Sequence, residues 1–284
     1  MRIDAHHHLW DLGRRPQPWL HGAALDPINR TFRLPELAPL LTADGIDATV
    51  VVQSSGSLDE TRELLDTARQ SGGLIAGVVG WADLADPGLP EVLASLTGPV
   101  TGPPAGPLVG IRHQVQDEPD PQWLARPAVR AGLRSVARAG LVYDLLVTPR
   151  ELGCATATVR DLPELTFVLD HGGKPPIADG GWEPWATLIT ELAALPNVSC
   201  KLSGLITEAD WPRWRPQDVL PYARHLLTAF GPDRVLFGSD WPVCTLAGPY
   251  GDVYALAEQA VAALDPAERD AVLGGNAARV YGLG

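Results

Sequence analysis

A strand, a helix and a second strand are encoded in order by residues 48–81, which read ATVVVQSSGSLDETRELLDTARQSGGLIAGVVGW. Ala48–Gln53 and Ile75–Trp81 are continuous apolar runs of strand length, as expected for strands that protein covers on both faces. Between them, Leu58–Gln70 carries apolar residues at spacings of three and four, the period of a helix with one buried face. Residues 48–81 therefore predict a strand–helix–strand unit.

The same alternation of strands and helices continues along the chain. Six further strands are predicted near Arg2–His8, Leu108–Gln114, Leu141–Val147, Thr166–His171, Val198–Ser203 and Val235–Asp240. Further helices are predicted at Ala128–Ala139, Pro184–Leu195, Val219–Phe230, Asp252–Leu264 and Pro266–Tyr281. Ser57, followed by Glu60 three residues later, predicts a capping box at the start of the helix Leu58–Gln70.

Eight strand–helix units in 284 residues predict an α/β fold, a (β/α)₈ or TIM barrel, in which residues 1–284 form a single domain. A doubly wound open sheet is the less favoured alternative, because no Gly-x-Gly-x-x-Gly motif follows the first strand. The Gly- and Pro-rich stretch 98–107 predicts a surface loop and not a domain boundary. In a (β/α)₈ barrel the reactive side chains are expected at the carboxyl ends of the strands.

The composition argues against several classes of function. The chain has 22 Lys and Arg against 34 Asp and Glu, a net charge of −12, which disfavours binding to nucleic acid or to an anionic membrane surface. It has no apolar stretch near the ~20 residues of a membrane span, and its first residues lack the apolar core of a signal peptide. Cys154, Cys200 and Cys244 are expected to be buried free thiols. We therefore expect a cytoplasmic protein that acts on a small molecule; the sequence indicates no oligomeric state.

Three of the seven histidines lie together at the end of the first predicted strand. Because side chains alternate across a strand, Asp4, His6 and His8 are expected on one face and His7, in a structural role, on the other. Two imidazoles that point into one cavity can bind a single metal ion. His6 and His8 are therefore candidate metal ligands, and the alternative is a polar strand end with solvated histidines.

Two more predicted strands end in residues that can carry acid–base chemistry. The sixth leads into His171, a candidate general acid, general base or ligand, and Lys174, which can bind an anion or a carbonyl or form a loop salt bridge. The eighth ends in Asp240. A carboxylate at the mouth of a nearly uncharged strand is costly to desolvate unless it is paired, liganded or catalytic. Asp240 is therefore the strongest catalytic candidate.

Other predicted strands supply candidate substrate-binding residues. Arg112 suits a carboxylate or a developing oxyanion, and alternation lets only one of Arg112 and His113 point straight into the barrel. Lys201 is expected to face inward, where it either binds substrate or neutralises a buried Asp. Gln53 is a candidate for a hydrogen bond to substrate.

Tryptophan is unusually abundant, with nine Trp beside five Tyr and four Phe, and every Trp lies at or after the carboxyl end of a predicted strand. Trp81 and Trp241 directly end strands and are predicted to bind substrate. Trp182 and Trp185 begin a helix and are expected to pack against it. The others are expected to form the walls and lids of one pocket for a neutral, ring-shaped substrate.

Other catalytic arrangements fit the sequence less well. It contains no Gly-x-Ser-x-Gly motif, no phosphate-binding loop with Gly-Lys-Ser/Thr and no Cys-x-x-Cys pair. The carboxylates Asp144 and Asp240 match the pair that a glycosidase needs, but that reaction would leave the histidine cluster without a role.

Four motifs follow one another along the chain. They are His6-x-His8, Gly110-Ile111-Arg112-His113, Asp170-His171-Gly172-Gly173-Lys174-Pro175 and Gly238-Ser239-Asp240-Trp241-Pro242. This ordered set resembles the amidohydrolase superfamily, and more narrowly its amidohydrolase-2 branch with sugar lactonases of the L-fuconolactonase and L-rhamnonolactonase type. The resemblance spans nearly the whole chain and implies a (β/α)₈ barrel that hydrolyses a cyclic ester.

The resemblance leaves two cases open for a cofactor. Mono-metal members of the superfamily commonly add a His from the fifth strand, whereas the segment Leu141–Val147 contains none. A related pyrone-dicarboxylate lactonase is thought to work without metal. The two cases are therefore one zinc or manganese ion held by His6, His8 and Asp240, or no metal.

The resemblance further implies that a sugar-derived lactone (an aldono-lactone) is opened to its hydroxy acid. Asp240 would take a proton from the attacking water, and His171 or Asp240 would protonate the leaving alkoxide. Arg112, Lys201, His171 or a metal ion would stabilise the oxyanion. Two alternatives remain: a metal-dependent non-oxidative decarboxylase on the same scaffold, and a catalytically inactive barrel that binds a sugar.

Overall fold

Eight parallel strands form one sheet in a computed structural model, which describes residues 1–98 and 108–283. The strands follow one another around the sheet in chain order. They are β1 (Ile3–His7), β2 (Ala48–Val52), β3 (Ile75–Gly80), β4 (Leu108–His113), β5 (Val142–Leu145), β6 (Phe167–Leu169), β7 (Val198–Leu202) and β8 (Val235–Phe237). Each lies within a predicted segment, and the predicted segments run up to three residues further at the carboxyl ends, where the chain turns away from the sheet.

The sheet closes into a barrel between β1 and β8. The Asp240 N–H donates to the His6 carbonyl at 2.8 Å, and the His8 N–H donates to the Trp241 carbonyl at 2.7 Å. This closure confirms the predicted (β/α)₈ barrel. It also joins, through the backbone, the two segments that carry the candidate residues His6, His8 and Asp240.

Helices cover the outside of the barrel. The described helices are α1 (Leu34–Ala43), α2 (Leu58–Gln70), α3 (Leu89–Thr97), α4 (Pro127–Arg138), α5 (Leu152–Asp161), α6 (Trp185–Ala193), α7 (Pro216–Phe230), α8 (Tyr250–Val261), α9 (Pro266–Asp270) and α10 (Asn276–Tyr281). The helix predicted over Pro266–Tyr281 is divided by a π-helical segment, Ala271–Gly275. No described helix is long and apolar enough to cross a membrane. The predicted surface loop 98–107 lies outside the described residues beyond Gly98.

The capping box predicted for α2 is only half formed. The Ser57 hydroxyl accepts a hydrogen bond from the Glu60 N–H at 3.3 Å. The Glu60 carboxylate reaches further back and accepts from the N–H groups of Ser54 and Ser55 at 3.0 and 2.9 Å. Glu60 therefore holds the loop after β2 against the helix, and the reciprocal bond to Ser57 is not made.

The lower part of the barrel interior is filled by apolar side chains, which we call the apolar layer. They are Ile3, Ala5, Ala48, Val50, Val52, Val79, Val142, Val168 and Leu236, with Ala277 and Tyr281 from α10. A larger apolar cluster fills the space between the sheet and the surrounding helices. The upper part of the interior, toward the carboxyl ends of the strands, is polar and carries the candidate site.

A β-bulge in β1 changes which of its side chains face inward. The register with β2 shifts between Asp4 and His7, so strict alternation is broken. Asp4 accepts hydrogen bonds from the hydroxyls of Ser239 at 2.6 Å and Tyr250 at 3.1 Å, the latter on α8. The prediction that Asp4 shares a face with the candidate ligands of β1 is therefore wrong.

His7 faces away from the barrel interior, as alternation predicts. Its Nε2 lies 2.9 Å from the Thr49 hydroxyl, and the residue has no exposed surface. Burial, followed by repulsion from His8, lowers the pKa of His7 to about 3. His7 is therefore a neutral, buried side chain.

Candidate active site

A cavity of about 160 Å³ opens at the carboxyl ends of the strands, where the barrel fold predicts the site. Its lining residues belong to β4, to the segment after it, and to the segments that follow β1, β2, β5, β6 and β8. The lining comprises His8, Trp19, Ser54, Arg112, Gln114, Gln116, Asp117, Leu146, His171, Lys174, Asp240 and Val243. A larger groove of about 480 Å³ lies on the side of the barrel beside α2, and its lining contains none of the clustered histidines.

His6, His8 and Asp240 are buried, with their ligand atoms close together. The Nε2 atoms of His6 and His8 lie 3.2 Å apart. Asp240 Oδ1 lies 3.4 Å from His8 Nε2 and 3.8 Å from His6 Nε2. The structure therefore brings the three candidate metal ligands together from the two ends of the chain.

The surroundings of the His8 ring favour a tautomer that leaves its Nε2 unprotonated. His8 Nδ1 lies 2.8 Å from the Val52 carbonyl, which places its hydrogen on Nδ1. At His6, Asp170 Oδ1 lies 3.3 Å from Nδ1 and can accept a hydrogen from it, while the Lys201 ammonium group, which only donates, lies 3.1 Å from the same nitrogen. The Nε2 atoms of His6 and His8 are 3.2 Å apart, close to the roughly 3.3 Å between two nitrogens on one tetrahedral zinc ion. The residues present therefore fit a single divalent metal ion.

Asp240 and His171 both have left-handed backbone conformations, with φ of 59° and 53°. His171 Nε2 lies 4.0 Å from Asp240 Oδ1, and its Nδ1 lies 3.0 Å from the Ser203 hydroxyl. Gly204 makes room for the ring, because a Cβ there would lie 2.5 Å from His171 Nδ1. Strained backbone of this kind is typical of functional positions, and here it points both side chains into the pocket.

The protonation states of this pair suit proton transfer from water. Burial lowers the pKa of His171 to about 4, so the ring is neutral at pH 7. Burial alone would raise the pKa of Asp240, but the neighbouring His171 and His8 outweigh it and hold that pKa below its ordinary value. Asp240 is therefore an ionised carboxylate that can accept a proton.

Beneath the pocket lies a layer of charged side chains, Lys201, Asp144, Asp170 and Arg112, which we call the charged layer. Lys201 Nζ lies 2.5 Å from Asp144 Oδ2 and 3.0 Å from Asp170 Oδ1. Arg112 Nη1 donates to Asp170 Oδ2 at 2.9 Å. Lys201 and both carboxylates have no exposed surface, so each charge is balanced by its neighbours and not by water.

Lys201, predicted to bind substrate, has its ammonium group enclosed beneath the pocket, without exposed surface. It contacts His6 Nδ1 at 3.1 Å as well as the two carboxylates. The alternative, that Lys201 neutralises a buried Asp, agrees with the structure. Burial raises the pKa of Asp144 to about 6, although Lys201 opposes this. For Asp170, Lys201 and His6 outweigh burial and hold the pKa well below its usual value.

Arg112 is the cation of the charged layer that reaches the pocket lining. Its Nη2 donates to the Gln53 carbonyl at 2.5 Å, and its Nη1 lies 3.4 Å from His6 Nε2. Lys174 also lines the pocket and forms a salt bridge with Glu208 at 3.4 Å, as the alternative of a loop salt bridge predicts.

Four residues predicted to bind substrate are not among the described residues that line this cavity. They are Gln53, His113, Trp81 and Trp241. The Gln53 side chain is fully buried and donates to the Arg112 carbonyl at 3.2 Å. The ring of His113 stacks on Trp123 with 4.2 Å between centroids, because alternation turns it away from the interior.

Two of these four residues, Trp81 and Trp241, are tryptophans that contact neighbouring rings. Trp81 Nε1 donates to His113 Nδ1 at 3.1 Å, and Trp241 is buried edge-to-face against Phe32. Of the tryptophans expected in the pocket wall, Trp19 is the one among the described lining residues. Large indole rings at the carboxyl ends of the strands are used here mainly to pack the loops together.

Several residues of the site were not predicted from the sequence. They are Asp170, Ser54, Gln114, Gln116 and Asp117, whereas Trp19 was expected in the pocket wall and lies there. Asp170 directly precedes His171, and a carboxylate at that strand end had the same signal as Asp240. Gln114, Gln116 and Asp117 follow β4 as alternating polar residues, a pattern that only the loop conformation converts into a pocket wall.

Comparison with known proteins agrees with this geometry. The amidohydrolase family model matches residues 3–283. The chain is 42% identical to an L-fucono-1,5-lactonase of Burkholderia ambifaria, over 99% of this chain and 95% of that one. It is also 42% identical to an L-fucono-1,5-lactonase of Burkholderia multivorans, over 100% and 96% of the two chains. A crystal structure of a Burkholderia multivorans amidohydrolase with bound zinc has a TM-score of 0.93 and 40% identity, and the match covers 100% of both chains.

The match over nearly all of the chain, together with the His6, His8, His171 and Asp240 cluster at the mouth of a (β/α)₈ barrel, shows that this protein belongs to the amidohydrolase family.

Proposed function

We propose that this protein is a lactonase that hydrolyses a neutral sugar 1,5-lactone, of the L-fucono-1,5-lactone type, to the open hydroxy acid. The observation that carries the proposal is the position of the Asp240 carboxylate. Its Oδ1 lies within 4.0 Å of an Nε2 atom of each of His6, His8 and His171, in a pocket at the carboxyl ends of the strands. The 42% identity to proteins named L-fucono-1,5-lactonase supports the substrate class.

Asp240 begins the reaction by removing a proton from a water molecule in the pocket. The water oxygen then bonds to the lactone carbonyl carbon, and the carbonyl oxygen becomes an oxyanion. Arg112, whose guanidinium lies at the pocket floor, is the cation placed to stabilise that charge. Lys201 acts only indirectly, since it is enclosed below His6.

Ring opening breaks the bond between the carbonyl carbon and the ring oxygen. The leaving alkoxide then takes the proton that Asp240 removed from water, so the same carboxylate serves as base and then as acid. His171 is neutral at pH 7 and holds its ring in place through Ser203, so we assign it a role in orienting the water and the lactone.

We further propose that His6, His8 and Asp240 hold one divalent metal ion, zinc or manganese. When bound, such an ion supplies Lewis-acid activation of water or of the carbonyl oxygen. The 3.2 Å separation of the His6 and His8 Nε2 atoms supports this assignment. The acidic composition and the three buried free thiols also support a location in the cytoplasm.

The direct test is a pH-indicator assay of a panel of sugar lactones, with protein whose metal content has been measured. We expect acid release from 1,5-lactones well above the uncatalysed rate, and a loss of that activity when a chelator removes the metal. Release of carbon dioxide from aromatic acids, without acid release from any lactone, would instead support the decarboxylase alternative. The comparisons favour neither that alternative nor an inactive sugar-binding barrel.

A further inference from the structure

Two basic side chains, Arg112 and Lys174, belong to the described pocket lining. Each forms a salt bridge with a carboxylate that is not part of the lining. Arg112 Nη1 lies 2.9 Å from Asp170 Oδ2, and Lys174 Nζ lies 3.4 Å from Glu208 Oε1. The lining also contains the carboxylates Asp117 and Asp240. The pocket therefore offers no uncompensated positive charge to a ligand among its described residues.

The pair formed by Lys174 and Glu208 is held in place at the rim. Lys174 ends the turn after β6 in a left-handed conformation with φ of 52°. Glu208 ends the short 3₁₀ helix Ile206–Glu208 that follows β7, and its side chain is only 25% exposed. Burial raises the pKa of Glu208, while Lys174 opposes the rise, so Lys174 is the charge that favours an ionised Glu208.

A substrate carboxylate would meet an energetic cost in this pocket that a neutral lactone avoids. To bind Lys174 it would have to displace or approach the Glu208 carboxylate, and like charges at close range disfavour binding. Asp117 adds to the repulsion from the lining itself. Hydroxyl groups of a neutral sugar ring can hydrogen-bond to all of these carboxylates without such a cost.

We propose that Glu208 is a specificity-determining residue, which neutralises Lys174 and so excludes lactones that carry a free carboxylate. This inference rests on the proposed lactonase function and adds the charge of the accepted substrate to it. The neutralisation of Lys174 by Glu208 also lowers the affinity for the product, because hydrolysis converts a neutral lactone into an anion.

The test compares two lactones that differ only at one end, D-galactono-1,4-lactone with a hydroxymethyl group and D-galactaro-1,4-lactone with a carboxylate. Their inhibition constants are measured against L-fucono-1,5-lactone hydrolysis for the wild type and for Glu208→Gln. We expect the constant for the carboxylate lactone to fall about tenfold in the variant, as for the loss of a partly buried opposing charge. The constant for the neutral lactone should stay within about threefold.

Three further variants serve as controls. Glu208→Ser should reproduce the shift, and it replaces Glu208→Gln if that variant does not fold. Glu208→Gln combined with Lys174→Gln should return the carboxylate lactone to its wild-type constant. Asp161→Asn removes the same charge from an exposed ion pair with Arg130, at the end of α5 away from the pocket, and should change neither constant.

Equal changes for both lactones, or no change for the carboxylate lactone, would overturn the role of Glu208. Failure of the proposed function would give a different result, because the wild type would then release no acid from any neutral sugar lactone. In that case the dissociation constants of the same two lactones, measured by calorimetry, still decide whether Glu208 selects against the carboxylate.

Discussion

The interior of this barrel is divided into two layers that are equally buried and chemically opposite. In the apolar layer, side chains such as Val168 and Leu236 contact one another without exposed surface. In the charged layer, Lys201, Asp144 and Asp170 are just as inaccessible to water. Apolar burial stabilises a fold directly, whereas buried charges stabilise it only while every partner is present. The charged layer therefore contributes to the protein mainly by holding His6 in position below the pocket, through the contacts of Lys201 and Asp170 with His6 Nδ1.

The largest expected effect comes from breaking the charged layer. Lys201→Met leaves Asp144 and part of Asp170 uncompensated, and we expect a loss of about 3–5 kcal/mol in the free energy of unfolding. Denaturant unfolding followed by circular dichroism measures this. Because Lys201 also contacts His6 Nδ1, the variant should lose metal affinity as well.

A second change separates charge imbalance from poor packing at the same site. Lys201→Met combined with Asp144→Asn removes one positive and one negative charge, and it should recover part of the lost stability. A double variant no more stable than Lys201→Met would show that the layer is not held together by charge balance.

A matched change in the apolar layer should cost less and should leave the chemistry intact. Val168→Ala removes two methyl groups from a fully buried position, for which we expect a loss of about 2 kcal/mol in the free energy of unfolding. Lactone hydrolysis at 25 °C should remain near the wild-type rate. A loss of activity as large as that of Lys201→Met would remove the distinction between the layers.

His7 extends the comparison to the outer face of β1. Its pKa is about 3 in the folded protein and near 6.5 when unfolded, so below pH 6.5 the unfolded state binds the additional proton. Stability must therefore fall as the pH falls through this range. Between pH 7 and 5.5 the wild type should lose about 1 kcal/mol more than His7→Gln in urea unfolding. Parallel curves for the two proteins would contradict a neutral, buried His7.

The smallest effect is expected where a predicted substrate contact proved to be a packing contact. Trp81→Phe removes the hydrogen bond to His113, and kcat/KM for the lactone should stay within about threefold of wild type.

Trp19→Ala, by contrast, alters the pocket wall and should raise KM about tenfold. Similar KM values for the two variants would show that Trp19 is not part of the binding surface.

The sequence was sufficient to predict the barrel, because continuous apolar strands alternating with one-sided helices leave few other folds. It also identified His6, His8, His171 and Asp240, since polar residues at the ends of apolar strands are conspicuous. It placed Asp4 on the wrong face because a β-bulge leaves no clear signal in a five-residue strand.

Other errors arose because residue type does not reveal depth in the barrel. Lys201 and Arg112 both point inward, but one is enclosed and the other reaches the pocket. The sequence correctly placed Lys201 and Arg112 on their strands. How deep in the barrel each charged group lies depends on how neighbouring strands are staggered, which the sequence does not show. The polar wall after β4 was missed for a related reason, as loop conformation is set by tertiary contacts.

The central claim, that Asp240 moves the protons of lactone hydrolysis, is tested most directly by the rate of acid release from L-fucono-1,5-lactone in Asp240→Asn. Asn tolerates the left-handed backbone at this position, so the fold should be kept. The account predicts that kcat falls by several orders of magnitude, roughly 10³-fold or more, with an unchanged circular dichroism spectrum. Near-wild-type acid release from the variant, after subtraction of the uncatalysed rate and at equal metal content, would contradict it.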